Sequence, residues 1–122
     1  MGFLDGLFEQ TVPELPIAET VVSADATVET GQLHRISGSD VDLELTMATH
    51  SLATVAQQRF AVKVYSAAMT PGALTINAPA GQLLEDADGE LVASVALTQA
   101  LGLYREWMCD DAGNWLAVGG IG

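Results

Sequence analysis

The sequence is poor in positive charge. Four Lys and Arg residues stand against 16 Asp and Glu residues, which gives a formal net charge of −12. A surface that binds nucleic acid needs clustered cations to contact phosphates. The four cations are isolated from one another: Arg35, Arg59, Lys63 and Arg105. We therefore expect no nucleic acid partner.

Cysteine and long apolar runs are also scarce. Cys109 is the single cysteine, so an internal disulfide is excluded, and no Cys/His spacing typical of zinc sites occurs. We expect Cys109 to be a small buried apolar side chain. No stretch approaches the ~20 apolar residues of a membrane helix, and the N-terminus lacks the basic and apolar regions of a secretory signal. We expect no membrane partner, no metal and no cofactor.

A convincing catalytic set is missing as well. His34 and His50 are far apart in the sequence, and no serine lies in a nucleophile-elbow context. The carboxylate pair Asp42 and Glu44 has a spacing compatible with glycoside hydrolysis, but it reads as the polar face of an amphipathic strand. We expect no enzyme activity.

One acidic cluster permits two interpretations. Several carboxylates of a flexible loop can bind a hard cation such as Ca²⁺. The spacing departs from the EF-hand loop, and Asp88-Gly89 is a strong hairpin dipeptide. We favour a solvated hairpin turn over a cation site for the cluster, which comprises Glu85, Asp86, Asp88 and Glu90.

Alternating patterns predict short strands. Residues 41–47 place Val41, Leu43, Leu45 and Met47 on one face, and residues 59–65 place Phe60, Val62 and Val64 inward. Residues 48–58 predict a loop with room for one turn of helix. Further strands are predicted at 17–22, 26–29, 32–36, 74–77, 82–84, 91–97, 101–109 and 114–118. About eight to ten short strands in 122 residues indicate one all-β domain. We predict an antiparallel β-sandwich or jelly-roll over residues 17–122.

The N-terminal segment has a different character. Phe3, Leu4, Leu7 and Phe8 lie at near-helical spacing, and Pro13 and Pro16 follow within an extended stretch. Exposed apolar side chains of this size favour docking on another surface. We predict that residues 1–16 are an extended docking arm. An apolar content of 49% in so acidic a chain also favours burial between subunits.

Two tryptophans flank the last predicted turn. Trp107 and Trp115 lie on either side of the Asp110–Gly113 connection, where aromatic side chains fill a small β core, line a subunit interface or form a sugar-binding platform. We favour a core or interface position. The predicted capsid or subunit interface therefore includes Trp107 and Trp115 together with the four apolar residues of the arm.

The order of strands resembles the C-terminal β modules of tailed-phage fibres and capsid decoration proteins. The segments that carry this resemblance are 33–36, 41–47, 60–65, 74–77 and the closing Asn-Trp-Leu-Ala-Val-Gly at 114–119. The resemblance implies an oligomeric, typically homotrimeric, β domain on a virion. A fibre shaft is missing, which favours a decoration (cement) protein that binds the major capsid protein on the outer surface of the expanded head. The alternative is a tail or head-fibre component that binds a receptor or glycan.

Overall fold

The computed structural model describes residues 18–121, with side chains over 21–120, and the chain there is mostly strand. Eleven strands and one short helix lie within this part of the chain. The strands are β1 Ala18–Val22, β2 Ala26–Val28, β3 Gln32–Ser37, β4 Leu43–Met47, β5 Arg59–Ser66, β6 Ala73–Asn77, β7 Leu83–Glu85, β8 Leu91–Val92, β9 Ser94–Thr98, β10 Tyr104–Cys109 and β11 Asn114–Ile121; the helix is α1 Leu52–Val55. The predicted β content is confirmed.

The strands form two mixed sheets. A seven-stranded sheet has the order β1-β3-β5-β10-β11-β7-β8, and a four-stranded sheet has the order β2-β4-β6-β9. The first six strands alternate between the two sheets, so the chain returns to each sheet in the same direction. The pairs β1–β3, β3–β5, β2–β4 and β4–β6 are consequently parallel. The prediction of an antiparallel architecture is wrong for this half of the molecule.

Antiparallel pairing dominates the second half. β10 pairs antiparallel with β5 and with β11, β6 pairs with β9, and β7 forms a hairpin with β8. The hairpin confirms the turn predicted at Asp88-Gly89, where Gly89 has a φ of +83°. β7 also pairs parallel with the first two residues of β11.

The buried apolar side chains of both sheets form one cluster. Leu43, Leu45 and Met47 on β4 are buried, as the alternating pattern predicts. Val41 is an exception, because β4 begins only at Leu43 and Val41 lies in the preceding loop, 68% exposed. On β5 the predicted inward residues are all fully buried: Phe60, Val62 and Val64.

The connection between β4 and β5 contains the short helix α1. The hydroxyl of Ser51 accepts a hydrogen bond from the backbone N–H of Thr54 at 3.3 Å, which caps the single turn. This agrees with the predicted loop with one turn of helix. No helix among the described residues is long and apolar enough to cross a membrane. The predicted arm, residues 1–16, lies outside the described residues.

Candidate docking surface

Three loops meet at one end of the two sheets. They comprise residues 38–42 between β3 and β4, 67–72 between β5 and β6, and 99–103 between β9 and β10, and together they are called the loop end. β3 and β5 are parallel neighbours, so their C-terminal ends lie side by side. Thr98 at the end of β9 pairs with Ala73 at the start of β6, which brings the third loop to the same end.

Backbone hydrogen bonds tie the three loops together. Gly38 N–H donates to Ser66 O at 2.8 Å, and Gly72 N–H donates to Ser39 O at 2.8 Å. Gln99 N–H in turn donates to Gly72 O at 2.9 Å. A Cβ on Gly72 would lie 2.7 Å from Val41 O, so a glycine is required for this close approach of two backbones. The loops therefore hold one another in place.

The side chain of Gln99 completes this arrangement. It is fully buried, and its amide nitrogen donates to Val41 O and Ala73 O, each at 2.8 Å. Its amide oxygen accepts from Ser39 N–H at 2.9 Å. One side chain thus uses both donors and its acceptor on the backbone of the 38–42 loop and of Ala73, the first residue of β6. A fully satisfied buried amide fixes the positions of the loops relative to one another.

The loop end exposes apolar side chains on this rigid frame. Val41 is 68% exposed, Leu101 is 69% exposed and Met69 is fully exposed, and each belongs to a different one of the three loops. Single exposed apolar residues are common, but three on adjacent, mutually bonded loops form a surface suited to docking. Met69 adds adaptability because its side chain is unbranched and polarizable. The loop end is the candidate docking surface.

Sequence reasoning missed the exposed residues of this surface. Val41 and Leu101 were predicted to lie within strands, and the structure places both in loops. A signal was present: Ser37 to Asp40 and Thr70-Pro71-Gly72 are turn sequences, and an apolar residue directly beside a turn is a candidate for exposure.

The two tryptophans lie elsewhere. Trp107 is 1% exposed and Trp115 is 0% exposed, and both pack around Phe60 with ring centroids 6.1 and 6.5 Å away. Trp107 Nε1 donates to Glu85 O at 2.9 Å, and Trp115 Nε1 donates to Gln82 Oε1 at 2.8 Å. The predicted position of Trp107 and Trp115 at a capsid or subunit interface is therefore corrected. Both side chains belong to the core of the domain, so their rings are not accessible to a partner or a sugar.

The other predicted interface residues are those of the arm. Phe3, Leu4, Leu7 and Phe8 lie outside the described residues, so their interface role stays a prediction.

The acidic turns are organised by their own backbone. Asp86 Oδ1 accepts hydrogen bonds from the N–H groups of Asp88 and Glu90, both at 2.9 Å. Asp110 Oδ1 accepts from Asn114 N–H at 2.9 Å and from Ala112 N–H at 2.8 Å, and the bond from Asn114 is the main cause of the lowered pKa of Asp110. Residues 18–121 contain no group of three or more His, Cys, Asp or Glu side chains placed to hold a metal ion. These carboxylates stabilise turns.

The carboxylates of Asp42, directly before β4, and Glu44, on β4, have structural partners as well. Asp42 Oδ1 accepts from Ala73 N–H at 3.0 Å, and Glu44 Oε2 accepts from the amide of Asn77 at 3.0 Å. Each carboxylate therefore supports the neighbouring strand β6. This pair, the one considered for glycoside hydrolysis, bonds to β6 rather than forming a shared site.

A polar cluster formed by β10 and Arg59 of β5 is poorly suited to acid–base catalysis. Tyr104 OH donates to Glu106 Oε1 at 2.6 Å, and Arg59 Nη1 lies 3.2 Å from Glu106 Oε2. Burial, followed by the hydrogen bond to Glu106, raises the pKa of Tyr104 to about 12. Such a phenol stays protonated near neutral pH and is unsuited to act as a general base. Burial likewise raises the pKa of the Cys109 thiol, which makes it a poor nucleophile.

Comparisons with protein-family models, curated proteins and solved structures find no match.

Proposed function

We propose that this chain is a capsid decoration protein: a structural virion protein that binds the major capsid protein on the outside of the expanded head and stabilises it. The resemblance of its strand sequences to phage decoration modules supports the proposal, as does the mostly β chain with two mixed sheets. The observation that carries it is the loop end, where Val41, Met69 and Leu101 are exposed on a frame held by Gln99.

The two sheets are proposed to pack face to face as a β-sandwich. Buried side chains from both sheets belong to one apolar cluster, and the chain passes from one sheet to the other six times before β7 and β8 form a hairpin and β9 returns to the smaller sheet. Residues 1–16 are proposed to be an extended arm on this body.

Hydrophobic burial at the loop end would supply the binding energy. Full burial of a Val, Leu or Met side chain contributes about 1.5–3 kcal/mol, so three such residues supply roughly 5–9 kcal/mol before other terms. Association itself costs an estimated 4–15 kcal/mol. One subunit alone would therefore bind weakly, whereas a homotrimer that engages three capsid subunits would bind far more tightly through its high effective concentration. The proposal accordingly includes a homotrimer, and the rigid loops lower the cost of ordering the interface.

The acidic composition fits an outward-facing position. A net charge of −12 keeps a decorated particle soluble and disfavours contact with packaged nucleic acid. A protein that binds only the expanded lattice shifts the equilibrium toward that lattice by mass action. The bound protein would therefore make the head more resistant to rupture. The expected location is the outer surface of the capsid, with no enzymatic role.

Binding to expanded heads assembled without the protein tests the proposal. The variant with Val41, Met69 and Leu101 all changed to Ser should bind at least 100-fold more weakly than the unchanged chain. The matched control carries Ser at Val21, Leu116 and Val118, which are exposed apolar residues on strands, and should bind normally. Heads that carry the protein should also rupture at a higher temperature than bare heads. Equal binding by both variants, or an unchanged rupture temperature, contradicts the proposal.

Copy number separates this proposal from the fibre alternative. Hundreds of copies over the shell of a purified particle are expected for a decoration protein, whereas a few copies at one vertex would indicate a tail or head-fibre component. The burial of Trp107 and Trp115 removes the aromatic platform that a glycan-binding role would use.

A further inference from the structure

Strand β9 forms an open edge of the four-stranded sheet. It pairs antiparallel with β6 on one side, and no strand among the described residues pairs with its other side, which is called the free edge. Directly after β9, Gln99 N–H donates to Gly72 O, so the backbone groups of Gln99 face β6. Backbone groups alternate in direction along an antiparallel strand. Those of Ser94, Ala96 and Thr98 therefore point to the free edge.

The residues of the free edge leave much of their hydrogen-bonding capacity unused. Thr98 O accepts from Ala100 N–H at 2.7 Å. The N–H groups of Ser94, Ala96 and Thr98 have no partner strand within residues 18–121, and all three residues are exposed. A row of unpaired backbone groups on an outer strand is a template for pairing with another chain.

β9 lacks the features by which native proteins protect such edges. These features include very short outer strands, charged side chains, proline and β-bulges. β9 has five residues, Ser-Val-Ala-Leu-Thr, without a charge or a proline, and its register with β6 is continuous. The outer strands β2 and β8 have only three and two residues. Of these three outer strands, β9 is the one best suited to accept an added strand.

A crevice with a volume of about 300 Å³ borders the free edge. Its walls include residues 94–97 of β9 and residues 85–88 at the start of the β7–β8 hairpin. Three of the four hairpin residues are carboxylates, whereas Arg105 is the one cation among the described residues that line the crevice. Electrostatic complementarity therefore favours an occupant with positive charge. A second copy of this acidic chain would add like charge.

The free edge is continuous with the loop end. β9 ends at Thr98, and the next residue, Gln99, begins the 99–103 loop. Leu101, one of the three exposed apolar residues of the loop end, lies in this loop. A partner segment that covers Leu101 can therefore extend directly along β9.

We propose that the capsid partner contributes an extended segment that adds to the four-stranded sheet beside β9 and places a Lys or Arg side chain in the crevice. This inference rests on the proposed function, because it names the kind of segment that the major capsid protein would present. Main-chain hydrogen bonds to the free edge supply affinity in this mode of recognition, and the contacts of the side chains supply specificity.

Hydrogen exchange resolved to single residues tests the added strand with the unchanged protein. Free in solution, the amide of Ala96 should exchange at least tenfold faster than that of Leu97, which faces β6. On expanded heads assembled without the protein and then decorated, exchange at Ala96 should slow at least tenfold. Unchanged exchange at Ala96 in head-bound protein overturns the inference. Exchange that slows in the free protein as its concentration rises also overturns it, because a second copy then covers the edge.

A proline at position 96 tests the need for the outward N–H. Proline is tolerated on an outer strand where its missing N–H would face solvent, so Ala96→Pro should still fold, as urea unfolding can show. The matched variant Ala96→Val keeps the N–H and suits a strand. Ala96→Pro should bind expanded heads at least tenfold more weakly than Ala96→Val. Equal binding by the two folded variants contradicts strand addition.

Charge reversal tests the cationic side chain of the segment. Asp88 is exposed and lines the crevice, whereas Asp111 is exposed on the β10–β11 turn and lies outside the lining. Asp88→Lys and Asp111→Lys change the net charge equally. Asp88→Lys should weaken head binding at least fivefold more than Asp111→Lys, and the difference should shrink at high salt. Equal binding by the two variants overturns the assignment of a cationic segment.

The outcomes separate this inference from the proposed function. A chain that does not bind expanded heads contradicts both. Binding that depends on Val41, Met69 and Leu101, but leaves exchange at Ala96 unchanged, contradicts this inference alone.

Discussion

Replacing Gln99 tests whether one buried amide holds the loop end together. Gln99→Leu keeps an apolar stem of similar size but removes the two donors and the acceptor of the amide. Ser39 N–H then loses its acceptor, and Ala73 O loses a donor. Val41 O is less affected, because it also accepts from Ser39 Oγ at 3.1 Å.

The expected loss of stability comes from the two backbone groups that lose their side-chain partner. Leaving a buried donor or acceptor unsatisfied costs about 1–3 kcal/mol. We therefore expect Gln99→Leu to lower the free energy of unfolding by about 2–6 kcal/mol, a large share of the ~5–15 kcal/mol typical of a domain. Binding to expanded heads should weaken as well, since the loops would no longer be held in one arrangement.

Gln99→Glu adds a dependence on pH. The introduced carboxylate would still accept from Ser39 N–H, but its second oxygen would face Val41 O and Ala73 O. Burial and these carbonyl oxygens would raise its pKa in the folded protein above the value of about 4.3 in the unfolded chain. The folded state then binds more protons between those two pKa values, so stability falls as pH rises through this interval. The loss relative to the unchanged chain should be larger at pH 7.5 than at pH 5.

Urea unfolding at both pH values measures these losses. The control is Ala53→Glu, which adds the same charge at an exposed position of α1 and should change stability by less than about 0.5 kcal/mol. Hydrogen exchange at Ser39 and Gly72 should accelerate in both Gln99 variants. A loss below about 1 kcal/mol for Gln99→Leu, or equal losses at pH 5 and 7.5 for Gln99→Glu, would refute the reasoning.

Three further predictions concern buried groups. Burial lowers the pKa of His34, so the unfolded state takes up this proton first as pH falls below about 6.5, and stability should then fall by up to about 1.4 kcal/mol per pH unit. Urea titrations should show this slope flattened in His34→Gln, and an unchanged slope in that variant would contradict the reasoning. Trp115→Phe removes the bond to Gln82 and leaves a void, so thermal and urea unfolding should show a loss of about 2–4 kcal/mol, and a loss under 1 kcal/mol would contradict the core assignment. The thiol of Cys109 should react with a disulfide reagent at least 100-fold faster in denaturant than in buffer, and rapid reaction in buffer would show that it is accessible.

Individual strands were predictable because side-chain alternation is a local property. Phe60, Val62 and Val64 are buried as their spacing predicts, and the Asp88-Gly89 turn joins two antiparallel strands. Strand ends were less predictable: Val41 continues the alternation of β4, yet it lies outside the strand. Its position depends on Gln99, which is 58 residues away in the sequence and donates to Val41 O. No local pattern reports such a contact.

The two tryptophans show the same limit. Their spacing around the last turn predicts that both belong to one hairpin, and they do lie on the paired strands β10 and β11. Whether the rings face a core, a partner or a ligand depends on what covers them. Phe60, Glu85 and Gln82 come from other strands and connections, and only folding brings them to the rings.

By itself, the sequence determined the charge, the mostly β character and the inward faces of several strands, because composition and period-2 alternation act within a few residues. Only the tertiary structure decided that the sheets are mixed, that both tryptophans are buried, and that three loops meet around Gln99 with apolar side chains exposed. The physical reason is that a strand with a given alternating pattern can pair with a neighbour in either direction and in either sheet. The choice is made by contacts between residues distant in the chain.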